Sequence, residues 1–193
     1  PPEHTHVNCA VSGGADSVAL LVLARAASLS VTAWHVDHGL RENSQAEAEL
    51  VAQLAIQLEA QFESRTVTVE QGANTEARAR EARYGAMPQG VMTGHTADDQ
   101  AETILINLLR GSGTRGLAGM QPTSQRPLLH VRRSETQALC SALGISVFND
   151  PSNNDERFQR NRIRHEVLPL LESLAKRDLV PVLTRQADLL RDD

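Results

Sequence analysis

The sequence predicts an α/β fold, in which helices flank a parallel β-sheet and a helical extension follows at the C-terminus. Two observations predict it. Short apolar runs alternate with stretches of helical periodicity, and a length of 193 residues with 40% hydrophobic residues suits one domain with a sizeable core. The alternation covers residues 1–150, whereas residues 151–193 are mainly helical in pattern. We therefore expect an α/β domain over 1–150 and a helical extension over 151–193.

Four strands and four helices are predicted in the first domain. The strands are short apolar or alternating runs bounded by turn residues, and they cover residues 6–11, 31–36, 62–69 and 91–93. The helices have apolar residues at helical spacing, and they cover residues 16–27, 44–58, 75–87 and 97–110. The loops after strands one, two and four are expected at the carboxyl edge of the sheet, where open α/β folds bind ligands.

The fourth helix carries clear signals at both ends. Thr96 followed three residues later by Asp99 resembles a capping box, with Asp in the place usually taken by Glu or Gln. Gly111 is placed to end the helix. The glycine-rich residues 111–116 have no regular pattern and are expected to be irregular and mobile.

Two further predictions concern the C-terminal part. A helix is expected to begin at Ser134, with Gln137 at the capping-box position and Gly144 as its end. The chain from residue 158 onward is expected to be helical, with interruptions near Pro169 and Pro181.

Composition excludes some classes of protein. No apolar run is long enough to cross a membrane, and the N-terminus lacks a signal-peptide pattern. Cys9 and Cys140 match no metal or redox spacing, so both are expected to be buried thiols in a cytoplasmic protein.

Charge is distributed unevenly despite a net value of −5. Arginines are concentrated in two regions. The first region, residues 103–134, has no acidic residue and contains Arg110, Arg115, Arg126, Arg132 and Arg133. The second region contains Arg157, Arg160, Arg162 and Arg164. Arginine binds phosphate as a planar fork, so these clusters could hold an RNA backbone. The alternative is a set of solvated charges, and charge alone does not decide between them.

The most informative segment is the turn between the first strand and the first helix, Ser12-Gly13-Gly14-Ala15-Asp16-Ser17. Its two glycines allow a sharp turn and a close approach of the backbone to a ligand. The amides that open the helix favour an anion. The segment matches neither a Walker A loop nor a G-x-G-x-x-G motif. A plain strand-to-helix turn is the alternative.

This hexapeptide matches the SGGxDS motif of the PP-loop ATP pyrophosphatases, which bind ATP at this loop and release pyrophosphate. Further motifs in order resemble the tRNA(Ile)-lysidine synthetase family across nearly the whole chain. They begin at Val36 (VDHGLR), Ala79 (AREARY), Thr93 (TGHTADDQAET), Arg110 (RGSG), Arg126 (RPLL), Asp150 (DPSN) and Arg160 (RNRIRH).

The resemblance implies a three-layer PP-loop sandwich of the adenine nucleotide α-hydrolase-like type, with the catalytic domain over 1–150. It also implies a reaction. The C2 oxygen of the wobble cytidine in a tRNA(Ile) with a CAU anticodon is adenylated by ATP, and free L-lysine then displaces AMP. The resemblance allows a homodimer, and the sequence does not give the oligomeric state.

Site residues follow from the matched motifs. ATP is expected at Ser12, Gly13, Gly14, Ala15, Asp16 and Ser17, and the nucleotide or substrate at Asp37, His38, Gly39, Arg41, Gly94 and His95. Mg²⁺ is expected at one or more of Asp16, Asp98 and Asp99, whose oxygens suit it; helix capping is their alternative role. Arg80 and Arg83 are catalytic candidates beside these acids, and a solvated helix face is the alternative. Contacts to tRNA are expected from Arg110, Arg115, Arg157, Arg160, Arg162 and Arg164.

Other functions stay open at this point. Another PP-loop enzyme could thiolate tRNA or form an amide, although two distant cysteines and the lack of a glutaminase region favour neither. A non-catalytic ATP sensor would not need the acidic pair after the fourth strand. Family members usually carry further segments at both ends, so the chain is expected to be either a minimal member or a fragment.

Overall fold

A computed structural model describes residues 5–37, 44–67, 78, 81–82, 84–150, 153 and 155–192. Three strands form a parallel sheet in the order β1-β2-β3. They are β1 (His6–Ala10), β2 (Ser30–Asp37) and β3 (Gln61–Thr66). The predicted fourth strand is reduced to one parallel bridge between Met92 and Cys9, on the free edge of β1. Met92 donates its N–H to the carbonyl of Asn8 and accepts the N–H of Ala10, both at 2.8 Å, whereas the N–H of Thr93 donates to the carbonyl of Gln125.

The helices follow the predicted alternation. Within the described residues they are α1 (Ala15–Ala26), α2 (Ser44–Gln57), α3 (Ala97–Leu109), α4 (Thr114–Leu117), α5 (Arg133–Ala142), α6 (Gln159–Arg162), α7 (Leu168–Ala175) and α8 (Val180–Asp192). Helical backbone also occurs where residues 78–85 are described, inside the predicted helix 75–87. The parallel sheet with flanking helices confirms the predicted fold class.

α1 is the central helix, because it is buried on more than one face. Its residues Leu20, Leu21 and Ala24 pack with Cys9 and Val31 of the sheet. Its other face holds Val18, Ala19 and Val22 against Cys140 of α5. A strand–helix–strand unit covered by α5 thus fixes the turn at the start of α1.

The C-terminal helices pack on α3. Ala97, Ala101 and Leu105 of α3 share a core with Ile163, Leu168 and Val180. The chain passes from α6 to α7 through a π-helical segment, Ile163–Val167. This segment precedes Pro169, whose backbone nitrogen carries no hydrogen and cannot donate a helical hydrogen bond. The π-helical segment is the interruption of the helix that was predicted near Pro169. Pro181 lies in the first turn of α8, where proline is tolerated.

Two local predictions are wrong. The residues 111–116 are not wholly irregular, since α4 forms a helical turn from Thr114. α5 begins at Arg133, before the predicted cap at Ser134, because Glu135 and not Gln137 closes its first turn: the Glu135 carboxylate accepts the N–H of Arg132 at 2.7 Å. Sequence patterns place helix ends only to within a few residues.

Other end signals are confirmed. The Asp99 carboxylate accepts both the N–H and the hydroxyl of Thr96 at 2.9 Å, which completes the capping box. Gly111 and Gly144 take positive φ values of 72° and 63° just after α3 and α5, a conformation that favours glycine. In the described parts of the chain, the helices are too short or too polar to span a lipid bilayer.

Candidate nucleotide site and its arginine network

The turn between β1 and α1 is held by its own serines. The Ser17 hydroxyl donates to the carbonyl of Gly14 at 2.9 Å and accepts the N–H of Ser12 at 3.1 Å. The Ser12 and Ser17 hydroxyl oxygens lie 3.2 Å apart. These bonds fix the backbone before α1, whose first amides have no partner within the helix. The predicted residues Ser12 to Ser17 therefore form a fixed turn, and the amides at the start of a helix are groups that could receive an anion.

Gly13 is the sharp point of this turn. It has a φ of 85°, and its carbonyl accepts the N–H of Phe148 at 2.8 Å. A β-carbon on Gly13 would lie 3.3 Å from the β-carbon of Phe148. Both the conformation and the close packing favour glycine here. Phe148 was not singled out from the sequence, because only the tertiary structure brings residue 148 to this turn.

Gly94 joins the loop after Met92 to the same turn. A β-carbon there would lie 2.6 Å from the carbonyl oxygen of Asp16 and 2.9 Å from the nitrogen of Ser17. The next residue, His95, lies with its Nδ1 2.7 Å from the hydroxyl of Thr93. Two of the predicted loops are thus in direct contact, as expected for neighbouring strand ends at one edge of a sheet.

The loop after β2 is only partly described. Asp37 ends β2, is half-buried, and accepts the N–H of Val67 on its carbonyl at 2.8 Å. His38, Gly39 and Arg41 lie outside the described residues, as do Arg80 and Arg83. Their predicted roles stay predictions.

The three predicted acidic residues lie at the starts of α1 and α3, and all contact the start of α5. Asp16 accepts hydrogen bonds from the Thr136 hydroxyl and from Nε of Arg133, the latter at 3.4 Å. Asp98 accepts from Nε of Arg132 at 3.1 Å and from the N–H of Arg133 at 2.8 Å. Asp99, already part of the capping box, accepts from Nη2 of Arg133 at 3.0 Å.

These environments move the carboxyl pKa values in different directions. Burial raises the pKa of Asp16. The hydrogen bond from Thr136 and the charge of Arg133 act to lower this pKa, but the effect of burial is larger. Burial also acts to raise the pKa of Asp98 and Asp99. For Asp98, the contacts with Arg132 and the N–H of Arg133 outweigh burial, so its pKa is lowered. For Asp99, the charge of Arg133 and the N–H of Thr96 outweigh burial, so its pKa is lowered as well.

Glu102 lies one turn beyond Asp98 and Asp99 in α3 and contacts three arginines. Its side chain is 1% exposed and forms ion pairs with Arg133 at 3.0 Å, Arg160 at 3.0 Å and Arg164 at 2.7 Å. The Arg164 contact is bidentate, since Nη2 also donates to Glu102 at 3.1 Å. Two of the arginines predicted to contact tRNA therefore point toward the interior.

The remaining predicted tRNA contacts are on the surface. The side chains of Arg157 and Arg162 are 88% and 60% exposed and pair with Asp155 and Glu166. Both line a cleft with Leu109 and Gln159, and Arg110 reaches Gln159 at 3.5 Å. Arg115 is exposed on α4. The structure thus separates one predicted cluster into two inward and two outward arginines.

Sequence reasoning missed the residues that join the two halves of the site. Arg132 and Arg133 were noted only as members of a basic region, and Glu102 and Thr136 were not singled out. One signal was available: the first six residues of α3 include Asp98, Asp99 and Glu102, and the acid-free residues 103–134 that follow contain five arginines.

The donor set suits a metal that arrives with its nucleotide. Among the described residues, no group of three or more His, Cys, Asp or Glu is arranged to hold a metal ion. Magnesium at nucleotide sites usually takes one or two carboxylates and completes its shell with phosphate oxygens and water. Asp16 fits such a role, since the hydrogen bond that it accepts from Arg133, at 3.4 Å, is longer than those that Asp98 and Asp99 accept from arginine side chains.

Comparisons with known proteins identify the family of this chain and several relatives. The PP-loop domain family matches residues 1–171. The chain is 47% identical over 193 residues to a tRNA(Ile)-lysidine synthase of Rhodococcus erythropolis and 46% identical over 192 residues to one of Mycobacterium tuberculosis. Each alignment covers 95% of this chain and 59% of the relative. The chain therefore spans less than two thirds of the length of these relatives.

A solved structure shares the fold at low sequence identity. It is the U34-tRNA thiolase NcsA from Methanococcus maripaludis with its 4Fe-4S cluster, with a TM-score of 0.78 and 15% identity. The match covers 98% of this chain and 73% of that one. At this identity the likeness shows the fold alone.

Proposed function

The chain belongs to the PP-loop domain family, and we propose that it is the ATP-binding catalytic part of a tRNA(Ile)-lysidine synthase. The observation that carries the proposal is the close approach of Gly94 to the backbone of Asp16, which packs the loop after Met92 onto the turn between β1 and α1, the proposed phosphate site. The 47% identity to a lysidine synthase over 95% of the chain supports the choice within the family.

The proposed reaction has two steps. The C2 oxygen of the wobble cytidine attacks the α-phosphorus of ATP and pyrophosphate leaves; the amino group of free lysine then displaces AMP. In this proposal the amides at the start of α1, with Ser12 and Ser17, hold the phosphates. Asp16 would hold Mg²⁺, which neutralises phosphate charge when bound.

Other parts of the proposal rest on the family resemblance. Asp37, His95 and the loop from His38 to Arg41 would contact nucleotide or substrate, and Arg80 and Arg83 would stabilise charge at the phosphorus. The tRNA carries a CAU anticodon, and the enzyme acts in the cytoplasm and can form a homodimer. The exposed Arg110, Arg115, Arg157 and Arg162 are the proposed phosphate contacts of the tRNA.

A tRNA thiolase is the second candidate, since one shares the fold. The positions of the cysteines favour the ligase. Cys9 lies in β1, in the core formed by the sheet and α1, and Cys140 lies in a different core cluster, between α1 and α5. A thiol relay needs accessible, paired cysteines, which these two buried residues do not provide.

The proposal is tested by pyrophosphate exchange into ATP and by incorporation of labelled lysine into purified tRNA(Ile). We expect both activities to need tRNA, and Ser12→Ala to lower exchange by about 100-fold, since preorganised phosphate donors contribute on that scale. Ser30→Ala is the matched control, because Ser30 starts β2 at the opposite end of the strand from the candidate site. Binding of ATP without exchange would point to a sensor, and exchange without lysine incorporation to another PP-loop enzyme.

A further inference from the structure

Arg133 contacts three carboxylates from two other helices. It is the first residue of α5, and its side chain is 19% exposed. Each nitrogen of the guanidinium meets a different acid: Nε lies 3.4 Å from Asp16, Nη2 lies 3.0 Å from Asp99 and Nη1 lies 3.0 Å from Glu102. One side chain therefore links the nucleotide turn of α1 to the acidic start of α3.

The three acids depend on Arg133 to different degrees. Glu102 keeps Arg160 and Arg164 as partners if Arg133 is removed. Asp99 keeps the capping bonds to Thr96 and an ion pair with Arg164 at 3.9 Å. Among the described residues Asp16 has Arg133 as its one ion-pair partner, and its other side-chain hydrogen bond comes from the neutral Thr136. Asp16 is therefore the carboxylate that depends most on Arg133 for a neutralising charge.

We propose that Arg133 is a positioning residue that acts through Asp16: its guanidinium neutralises and orients this carboxylate until a divalent cation arrives with the nucleotide. This inference rests on the proposed function for the identity of the ligand. Asp16 and Asp99 are close enough to repel each other, so without a cation between them the two loops would be pushed apart. Arg133 supplies that cation from within the chain.

The role of Arg133 predicts a new metal dependence when its charge is removed. In Arg133→Gln, Asp16 and Asp99 are left partly buried without their shared cation, which is unfavourable. A divalent cation is the small ligand that can replace it, because carboxylate oxygens are the donors that magnesium prefers. The wild-type protein, whose acids are already neutralised, should respond little to free magnesium.

The experiment measures thermal unfolding without nucleotide, in EDTA and in millimolar MgCl₂, with NaCl added to equal ionic strength. We expect the midpoint of Arg133→Gln in EDTA to fall by about 5–10 °C and to recover by at least about half in MgCl₂. Wild type should shift by less than about 1 °C, within the range of weak surface effects. Arg185→Gln is the matched control, since Arg185 is exposed on α8.

Arg133→Lys keeps the test decisive if Arg133→Gln does not fold. Lysine carries the charge but lacks the three-pronged geometry, so its midpoint and its response to magnesium should lie between those of the other two proteins. An equal response to MgCl₂ in wild type and in the folded Arg133 variants would overturn the proposal. Failure of the proposed function is a separate result, because no nucleotide or tRNA enters this assay.

Discussion

A β-carbon on Gly94 would lie 2.6 Å from the carbonyl oxygen of Asp16, closer than such atoms can approach. The neighbour is backbone at the start of α1, so it cannot move aside as a flexible side chain would. We expect Gly94→Ala to displace the turn between β1 and α1, which is the proposed phosphate site, at a cost of about 1–3 kcal/mol. Affinity for a non-hydrolysable ATP analogue, measured by calorimetry, should fall about tenfold or more.

Gly85→Ala is the matched control for this change. No atom lies within 4 Å of a β-carbon built at Gly85, and the residue is helical. Alanine is favoured over glycine in helices, so this variant should bind the analogue like wild type and be as stable or slightly more so. Equal affinities of the two variants would show that the Gly94 contact does not shape the site.

The arginines of the C-terminal helices should separate into two classes of effect. Arg164 is 22% exposed and bidentate to the buried Glu102. Because two other arginines still contact Glu102, we expect Arg164→Ala to lower the free energy of unfolding by about 1–3 kcal/mol, less than the loss of a sole buried partner. Urea unfolding of Arg164→Ala and Arg162→Ala measures this. Arg162 is exposed, and its loss should leave the midpoint unchanged; equal midpoints for both variants would contradict the assignment.

The exposed arginines should instead affect RNA binding. Arg157 and Arg162 line one cleft and, within the part of the chain that the structure describes, form ion pairs with Asp155 and Glu166. If they contact phosphate, Arg157→Ala and Arg162→Ala should each reduce the salt dependence of tRNA(Ile) binding by about one unit of slope. Filter binding over a range of NaCl concentrations gives the slope, with Arg185→Gln as the exposed control. A slope that stays at the wild-type value in both variants would remove them from the interface.

The buried thiol of Cys9 predicts a pH dependence. Burial raises the pKa of Cys9 to about 12, whereas the pKa of a cysteine in an unfolded chain is about 8.5. The neutral thiol therefore favours the folded state fully below about pH 8.5, and this contribution is lost as pH rises toward 12. Alkylation of the native protein by iodoacetamide should stay slow from pH 7 to 9, as measured by mass spectrometry of the Cys9 peptide. Rapid labelling that tracks an ordinary thiol titration would show that Cys9 is accessible.

Local signals predicted much of the fold because the interactions behind them are local. The Thr96–Asp99 capping box spans four residues, and Gly111 and Gly144 end helices through their own backbone conformation. The errors at α4 and at the start of α5 also have local causes: several residues can cap a helix, and Glu135 competes with Gln137 for the same first turn. The predicted fourth strand has only three residues, and so short a pattern does not predict how many of them form hydrogen bonds with β1.

The sequence by itself determined the turn between β1 and α1 and the order of strands and helices, because glycine conformation, capping and apolar periodicity act over a few residues. Only the tertiary structure decided where the arginines point. Arg133 and Asp16 are 117 residues apart, and Arg160 and Arg164 face Glu102 while Arg157 and Arg162 face solvent. A long charged side chain pairs with an acidic residue that the packing of distant helices brings within reach. The distance between two such side chains depends on the tertiary structure and cannot be predicted from a short segment of sequence.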